Sequence, residues 1–183
     1  SCYKLTPNDF DIWMRLLQKI PGCVLWLAGT NPTAERNLRN EASARSVSPE
    51  RLVFKTYTPL LADHLAQIRL ADLFLDSSYF NAHTTGSDAL WAGLPLLTRL
   101  GETYASRVGA SLLRAVGLPE LITTSAPDYE ALALVLATDA PKLGAIMQRL
   151  AANRLTEPLF DTNLTTRHIE AAWRKITERH DIL

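Results

Sequence analysis

A doubly wound, mostly parallel α/β sheet is the fold that this 183-residue sequence predicts, and three features predict it. Short apolar runs alternate with amphipathic stretches five or six times along the chain. The run Val24-Leu25-Trp26-Leu27-Ala28 is apolar without a break, as suits a strand covered on both faces. Between the runs, helix starts and stops are marked by turn-forming residues.

Taken in order, Tyr3 and its neighbours read as the end of a first, truncated strand. Thr6-Pro7-Asn8-Asp9 then opens a helix, with proline in the first turn and an acid set to complement the dipole. Phe10, Trp13, Leu17 and Ile20 share one face of it. After the strand at Val24–Ala28, Asn31-Pro32 starts a second helix, and Thr58-Pro59 gives the same signal after a strand at Leu52–Phe54. Leu73–Leu75, Leu96–Thr98 and Leu121–Thr123 read as further short strands. Gly93-Leu94-Pro95 and Gly117-Leu118-Pro119 stop two helices, glycine taking the left-handed cap and proline blocking continuation. Ile169, Ala172, Trp173 and Ile176 line one stripe of a last helix at about 165–180, predicted to close the sheet. The whole chain, 1–183, reads as a single domain.

Composition bounds the function. Hydrophobic residues at 47% and charged residues at 21% fit a globular core and argue against disorder. Nineteen Lys plus Arg balance nineteen Asp plus Glu, so no basic coat for nucleic acid exists, though a local cationic pocket is compatible. No apolar run approaches the ~18 residues of a membrane span, and no signal peptide is evident. Cys2 and Cys23 make neither a disulfide framework nor a metal cluster, and read as two small buried thiols in a reducing, cytoplasmic setting. A start at Ser1, without methionine, reads as a piece of something longer.

In open α/β sheets ligands bind beyond the carboxyl ends of the strands. The loop after Leu73–Leu75, running from Asp76 to Asp88, is the richest in polar residues and leads straight into a helix. His83-Thr84-Thr85-Gly86-Ser87-Asp88 reads two compatible ways. One is a capping box, with Thr85 at the N-cap and Asp88 three residues on. The other is an anion site, in which two hydroxyls and a glycine that admits a ligand converge on the positive end of a helix. No Gly-x-Gly and no Gly-Lys-Ser/Thr occurs, so dinucleotide and P-loop sites are disfavoured. Of the four histidines, His83 adjoins the anion site. His64 reads as exposed or capping on a short helix, and His168 and His180 as solvated. No histidine pair has metal-ligand spacing, and no Gly-x-Ser-x-Gly marks a serine nucleophile.

The stretch His83-Thr84-Thr85-Gly86-Ser87-Asp88-Ala89-Leu90-Trp91-Ala92-Gly93-Leu94-Pro95, followed by Gly101-Glu102-Thr103-Tyr104-Ala105-Ser106-Arg107, strongly resembles the protein O-linked N-acetylglucosamine transferase family. Val24–Leu27, Arg69–Asp72, Leu75-Asp76 and Pro158–Asp161 fit the same pattern, so the resemblance covers nearly the whole chain. It implies the carboxyl-terminal, Rossmann-like lobe of a two-lobed GT-B glycosyltransferase, the half that binds a UDP-sugar, with the amino-terminal catalytic lobe absent. Carried over residue by residue, it makes Lys4 a diphosphate-binding lysine and places His64 against the uracil. It makes Thr84 and Thr85, beside His83, phosphate ligands, and Asp88 the acid on the ribose. The sequence departs from the pattern in two places. Ser1 stands where the family often has glutamine, and Leu60-Leu61-Ala62-Asp63 lacks a lysine that some members carry just before the His64 position.

The function this implies is donor binding in an inverting transfer of N-acetylglucosamine from its UDP conjugate to protein Ser or Thr. Related transferases using UDP-glucose or GDP-fucose are the nearest alternatives, and a non-catalytic nucleotide-binding or interaction module is another. Neither metal nor cofactor is expected, since Lys4 and the helix dipole would neutralise the diphosphate, and no catalytic residue is assigned. The isolated chain is expected to bind nucleotide without transferring sugar. Tyr104, Leu112 or Trp173 is expected to be left exposed by the missing wall, which favours self-association.

Overall fold

The computed structural model describes residues 4–29, 31–56 and 58–180, without the side chains of Arg179 and His180. The readings of Tyr3, Ser1 and Cys2 fall outside these residues. Helix α1 (Pro7–Lys19) begins where the sequence places it, and the Thr6 hydroxyl accepts a bond from Asp9 N at 3.1 Å. Strand β1 (Leu25–Ala28), α2 (Pro32–Ala44) and β2 (Leu52–Lys55) follow, Asn31 capping α2 through Ala34 N at 2.8 Å. Helix α3 (Leu61–Ile68) starts later than Thr58-Pro59 predicts. Its N-cap is Leu60, which has no capping side chain, and the buried Thr58 Oγ1 has no hydrogen-bond partner. Next come β3 (Phe74–Leu75), α4 (Thr84–Ala92), β4 (Leu96–Arg99), α5 (Val108–Ala115), β5 (Ile122–Thr123), α6 (Ala126–Thr138), α7 (Ala140–Thr156) and α8 (Thr162–His180). Gly93 (φ 94°) and Gly117 (φ 72°) take the left-handed conformation at the ends of α4 and α5, as the Gly-Leu-Pro signals require.

All strand pairs are parallel. β1 pairs with β2, and β4 lies between β3 and β5. The single sheet expected from sequence is therefore divided into a two-stranded and a three-stranded ladder. β3 has only two residues, and the donors on either side of Leu75, Phe74 N and Asp76 N, are directed at Pro95 O and Leu97 O on the β4 side. Both faces are covered, and β4 shows it. Its consecutive Leu96 and Leu97 are fully buried yet belong to different clusters, because neighbouring side chains on a strand point to opposite faces. Leu97 joins Phe10, Trp13 and Leu17 of α1, whereas Leu96 joins Leu90 of α4, Leu113 of α5 and Leu150 of α7.

Helix α8 forms but does not close the sheet. Ile169, Trp173 and Ile176 are 53%, 65% and 55% exposed, so their stripe contributes nothing to the described core. Tyr104 is exposed, whereas Leu112 is half-buried and packs on the Leu96 cluster. No described helix is long and apolar enough to cross a membrane.

Candidate functional site

The segment from Asp76 to His83 carries the chain from the end of β3 to the start of α4, and it is latched from several sides. Asp76 is buried. Its carboxylate accepts from Thr98 Oγ1 on β4 and from Ala82 N, each at 2.7 Å. The Asp76 carbonyl accepts from the Tyr129 hydroxyl of α6 at 3.0 Å. Asn81, also buried, donates from Nδ2 to Ser77 O at 2.9 Å and accepts from Gly109 N of α5 at 3.1 Å. From α1, Asp9 accepts from both Ser78 N (3.2 Å) and Ser78 Oγ (2.6 Å). Buried polar groups are costly unless satisfied, so this network holds one loop conformation.

Burial pushes the Asp76 carboxyl up to about 7, against the bonds from Thr98, Ala82 and Ser77 and the charge of Lys4. The sign follows from linkage. The folded chain keeps a proton that an unfolded aspartate releases near 3.9, so stability declines as pH rises from about 4 to 7 and is level above that. Asp76→Asn carries no such proton. Urea unfolding is therefore expected to show the variant gaining on the wild type by roughly 2–3 kcal/mol between pH 5 and pH 8. A constant difference across that range would mean that Asp76 stays ionised throughout.

Helix α4 starts two residues earlier than the capping box predicts. His83 is the N-cap (φ −92°, ψ −100°) and caps with no side-chain bond, while Thr84 and Thr85 are exposed in the first turn. The reason is lateral. His83 is held by its ring, stacked on Phe80 at 4.7 Å, edge-on to Tyr104 at 5.9 Å, with Nε2 3.4 Å from Ala105 O. The first N–H groups of a helix lack intrahelical partners, so α4 presents donors, two hydroxyls and the positive end of its dipole together. Gly86 has a different role from the one predicted. It is buried, and a Cβ there would lie 3.1 Å from Leu112 Cδ1 and 3.3 Å from Ala82 Cβ, so the glycine serves packing.

Lys4 reaches this loop. Its Nζ donates to Asn81 O at 3.2 Å and lies 4.2 Å from the Phe80 ring centroid, so Lys4 and His83 flank one phenyl ring. Two further candidate residues meet: His64 Nε2 on α3 is 3.4 Å from Asp88 Oδ2 on α4. Asp88 turns toward His64 instead of capping its own helix. Sequence reasoning assigned no role to Lys55, Asp76 or Asn81. Lys55 Nζ lies 2.7 Å from His64 Nδ1, and burial lowers its pKa against the opposing charge of Asp88. The available signal was position alone, since Lys55 and Asp76 stand at the carboxyl ends of β2 and β3. Among the described residues no three His, Cys, Asp or Glu side chains gather to hold a metal ion.

The chain as a whole is similar to known proteins. The profile of "Glycosyl transferase family 41" matches residues 1–169. The chain is 38% identical over 179 residues to the probable UDP-N-acetylglucosamine–peptide N-acetylglucosaminyltransferase SEC of Arabidopsis thaliana, covering 97% of the chain and 18% of that protein. It is 33% identical to the UDP-N-acetylglucosamine–peptide N-acetylglucosaminyltransferase of Caenorhabditis elegans, covering 98% of the chain and 16% of that protein. The chain thus spans less than a fifth of the length of either relative. Among solved structures, a mutant O-GlcNAc transferase of Thermobaculum terrenum superposes with a TM-score of 0.88 at 30% identity, covering 94% of the chain and 34% of that protein. WaaG, a glycosyltransferase of lipopolysaccharide biosynthesis, shares the fold with a TM-score of 0.61 at 19% identity, over 87% of the chain and 42% of that protein.

Proposed function

This chain belongs to glycosyl transferase family 41, and from that premise we propose that it is the UDP-sugar-binding lobe of an inverting transferase that moves N-acetylglucosamine to protein Ser or Thr hydroxyls. The observation that carries the reading is the exposed start of α4, with Thr84 and Thr85 on it and a latched loop leading into it. In this reading the two hydroxyls and the free N–H groups of α4 bind the diphosphate. Lys4 adds a cation, since an ammonium has three donors and one is engaged by Asn81 O. His64 and Asp88 form the nucleoside end, and His83 braces the helix start through Phe80 and Tyr104. As an acceptor hydroxyl attacks the anomeric carbon, negative charge gathers on departing UDP, and fixed donors at the diphosphate stabilise it most at that moment. The relatives named for UDP-N-acetylglucosamine support that donor over UDP-glucose or GDP-fucose. The acceptor peptide and the second wall of the cleft are proposed to belong to the part of the transferase not represented in these residues. The free thiol of Cys23 suits the reducing, cytoplasmic setting we propose.

Thermal unfolding with UDP, GDP, ADP and NAD tests the reading, because a ligand that binds the folded state raises its stability. UDP at about 100 times its Kd is expected to add about 2.7 kcal/mol, with little effect from the other three. Lys4 and the helix end supply the counter-charge, so EDTA should leave the UDP shift unchanged. Loss of that shift in EDTA, restored by Mn²⁺, would instead assign the diphosphate to a metal.

A further inference from the structure

Three side chains from three elements meet at the carboxyl edge of the sheet: Lys55 ends β2, His64 lies on α3 and Asp88 on α4. Lys55 Nζ is 2.7 Å from His64 Nδ1, and His64 Nε2 is 3.4 Å from Asp88 Oδ2. The backbone under Lys55 is fixed. Gly29 N donates to Lys55 O at 3.0 Å, and a Cβ on Gly29 would collide with that same carbonyl. Helix α3, by contrast, is weakly anchored. It has no capping side chain and no buried residue, so packing alone does little to fix the direction of His64. A rigid strand end thus holds a loosely packed helix through one polar link.

We infer that Lys55 is a positioning residue for the nucleoside end of the site, locking His64 in one tautomer and one ring orientation. An ammonium only donates, so Nδ1 accepts and the ring proton sits on Nε2, facing Asp88. The ring is then an oriented plate with both edges engaged, and its partly exposed side is what it offers a flat base. Asp88 keeps a second carboxylate oxygen for a ribose hydroxyl. Partial burial of Lys55 strengthens this link relative to one in open water. The inference rests on the donor-site reading for the identity of the ligand, but the hold of Lys55 on His64 does not.

The test separates the two. In the nucleotide-free 183-residue chain, imidazole ¹⁵N NMR should report His64 as the Nε2–H tautomer. Lys55→Met keeps the aliphatic stem but removes the donor. It should turn His64 into a tautomer mixture and weaken UDP roughly five- to thirtyfold by calorimetry, as expected when one ordering hydrogen bond is lost. Lys55→Arg restores a cationic donor and should recover the Nε2–H signal with part of the affinity, which a merely structural lysine would not do. If the Met variant unfolds, Lys55→Leu, which also lacks a donor, carries the same comparison with Lys55→Arg. An unchanged His64 tautomer in Lys55→Met would overturn the inference. A wild-type chain that shows the tautomer but binds no UDP would overturn the donor-site reading and with it the nucleoside role, leaving the His64 lock standing.

Discussion

Lys4→Ala is expected to weaken UDP binding roughly ten- to a hundredfold, and adding Thr84→Ala should deepen the loss. The first figure is the worth of one hydrogen bond to a charged group, about 1.5–3 kcal/mol, expressed as affinity. Lys4 spends one donor on Asn81 O and leans on the Phe80 ring, so the side chain is already ordered before any ligand arrives. Pre-ordering means that little side-chain entropy remains to be lost on binding. Salt dependence separates a charge contact from a mere tether of the loop. Raising ionic strength should weaken UDP binding to the wild type more than to Lys4→Ala, because only the wild type has that cation to screen. Calorimetry at two salt concentrations checks both points. Equal affinities for the wild type and the double variant would remove the diphosphate from the start of α4.

Gly109→Ala should be a damaging substitution, and Gly144→Ala a helpful one. Both glycines lie inside helices, where alanine is favoured by up to about 1 kcal/mol. At Gly144 nothing lies within 4 Å of an added Cβ, so the helical preference decides and stability should rise by about 0.5–1 kcal/mol. At Gly109 the Cβ would sit 2.5 Å from Asp76 Oδ2 and 2.6 Å from Thr98 Oγ1. Neither atom is the far end of a flexible chain, since the two are bonded to each other and buried. Overpacking of about 1–3 kcal/mol then outweighs the propensity gain. For a domain of this size each kcal/mol moves Tm by roughly 2–4 °C, so thermal unfolding should place the variants on opposite sides of the wild type. The same methyl displaces Asp76 and the Asn81 bond to Gly109 N, so Gly109→Ala should also lose UDP affinity while Gly144→Ala keeps it.

The elements that were legible in the sequence are those set by local chemistry. Thr6-Pro7, Asn31-Pro32, Gly93-Leu94-Pro95 and Gly117-Leu118-Pro119 each mark a helix end through a cap or a blocked backbone, and the structure uses all of them. Thr58-Pro59 carries the same local signal and fails, because α3 starts only at Leu61 and Thr58 Oγ1 is buried without a partner. The Thr85–Asp88 capping box fails for a similar reason. Ring contacts from Phe80 and Tyr104 fix His83 as the cap, and His64 draws Asp88 away, and neither effect is visible in a four-residue pattern. Lys55, Asp76 and Asn81 escaped because the partners that single them out lie 9, 22 and 28 residues away on other elements, and only folding brings them together. The stripe Ile169, Trp173 and Ile176 was legible as a helix face, but periodicity does not say what a face packs against.

On the proposed function, the start of α4 takes the diphosphate and the His64–Asp88 pair takes the nucleoside. Titrating UDP into ¹⁵N-labelled chain and following the backbone amides locates the ligand without relying on any variant. The largest shifts are expected at Thr84, Thr85 and Gly86, with a second group around His64 and Asp88, and little change along the groove between α2 and Pro49 that is lined by Arg36, Arg39 and Ser43. Saturable shifts concentrated in that groove, with the first turn of α4 unmoved, would contradict it.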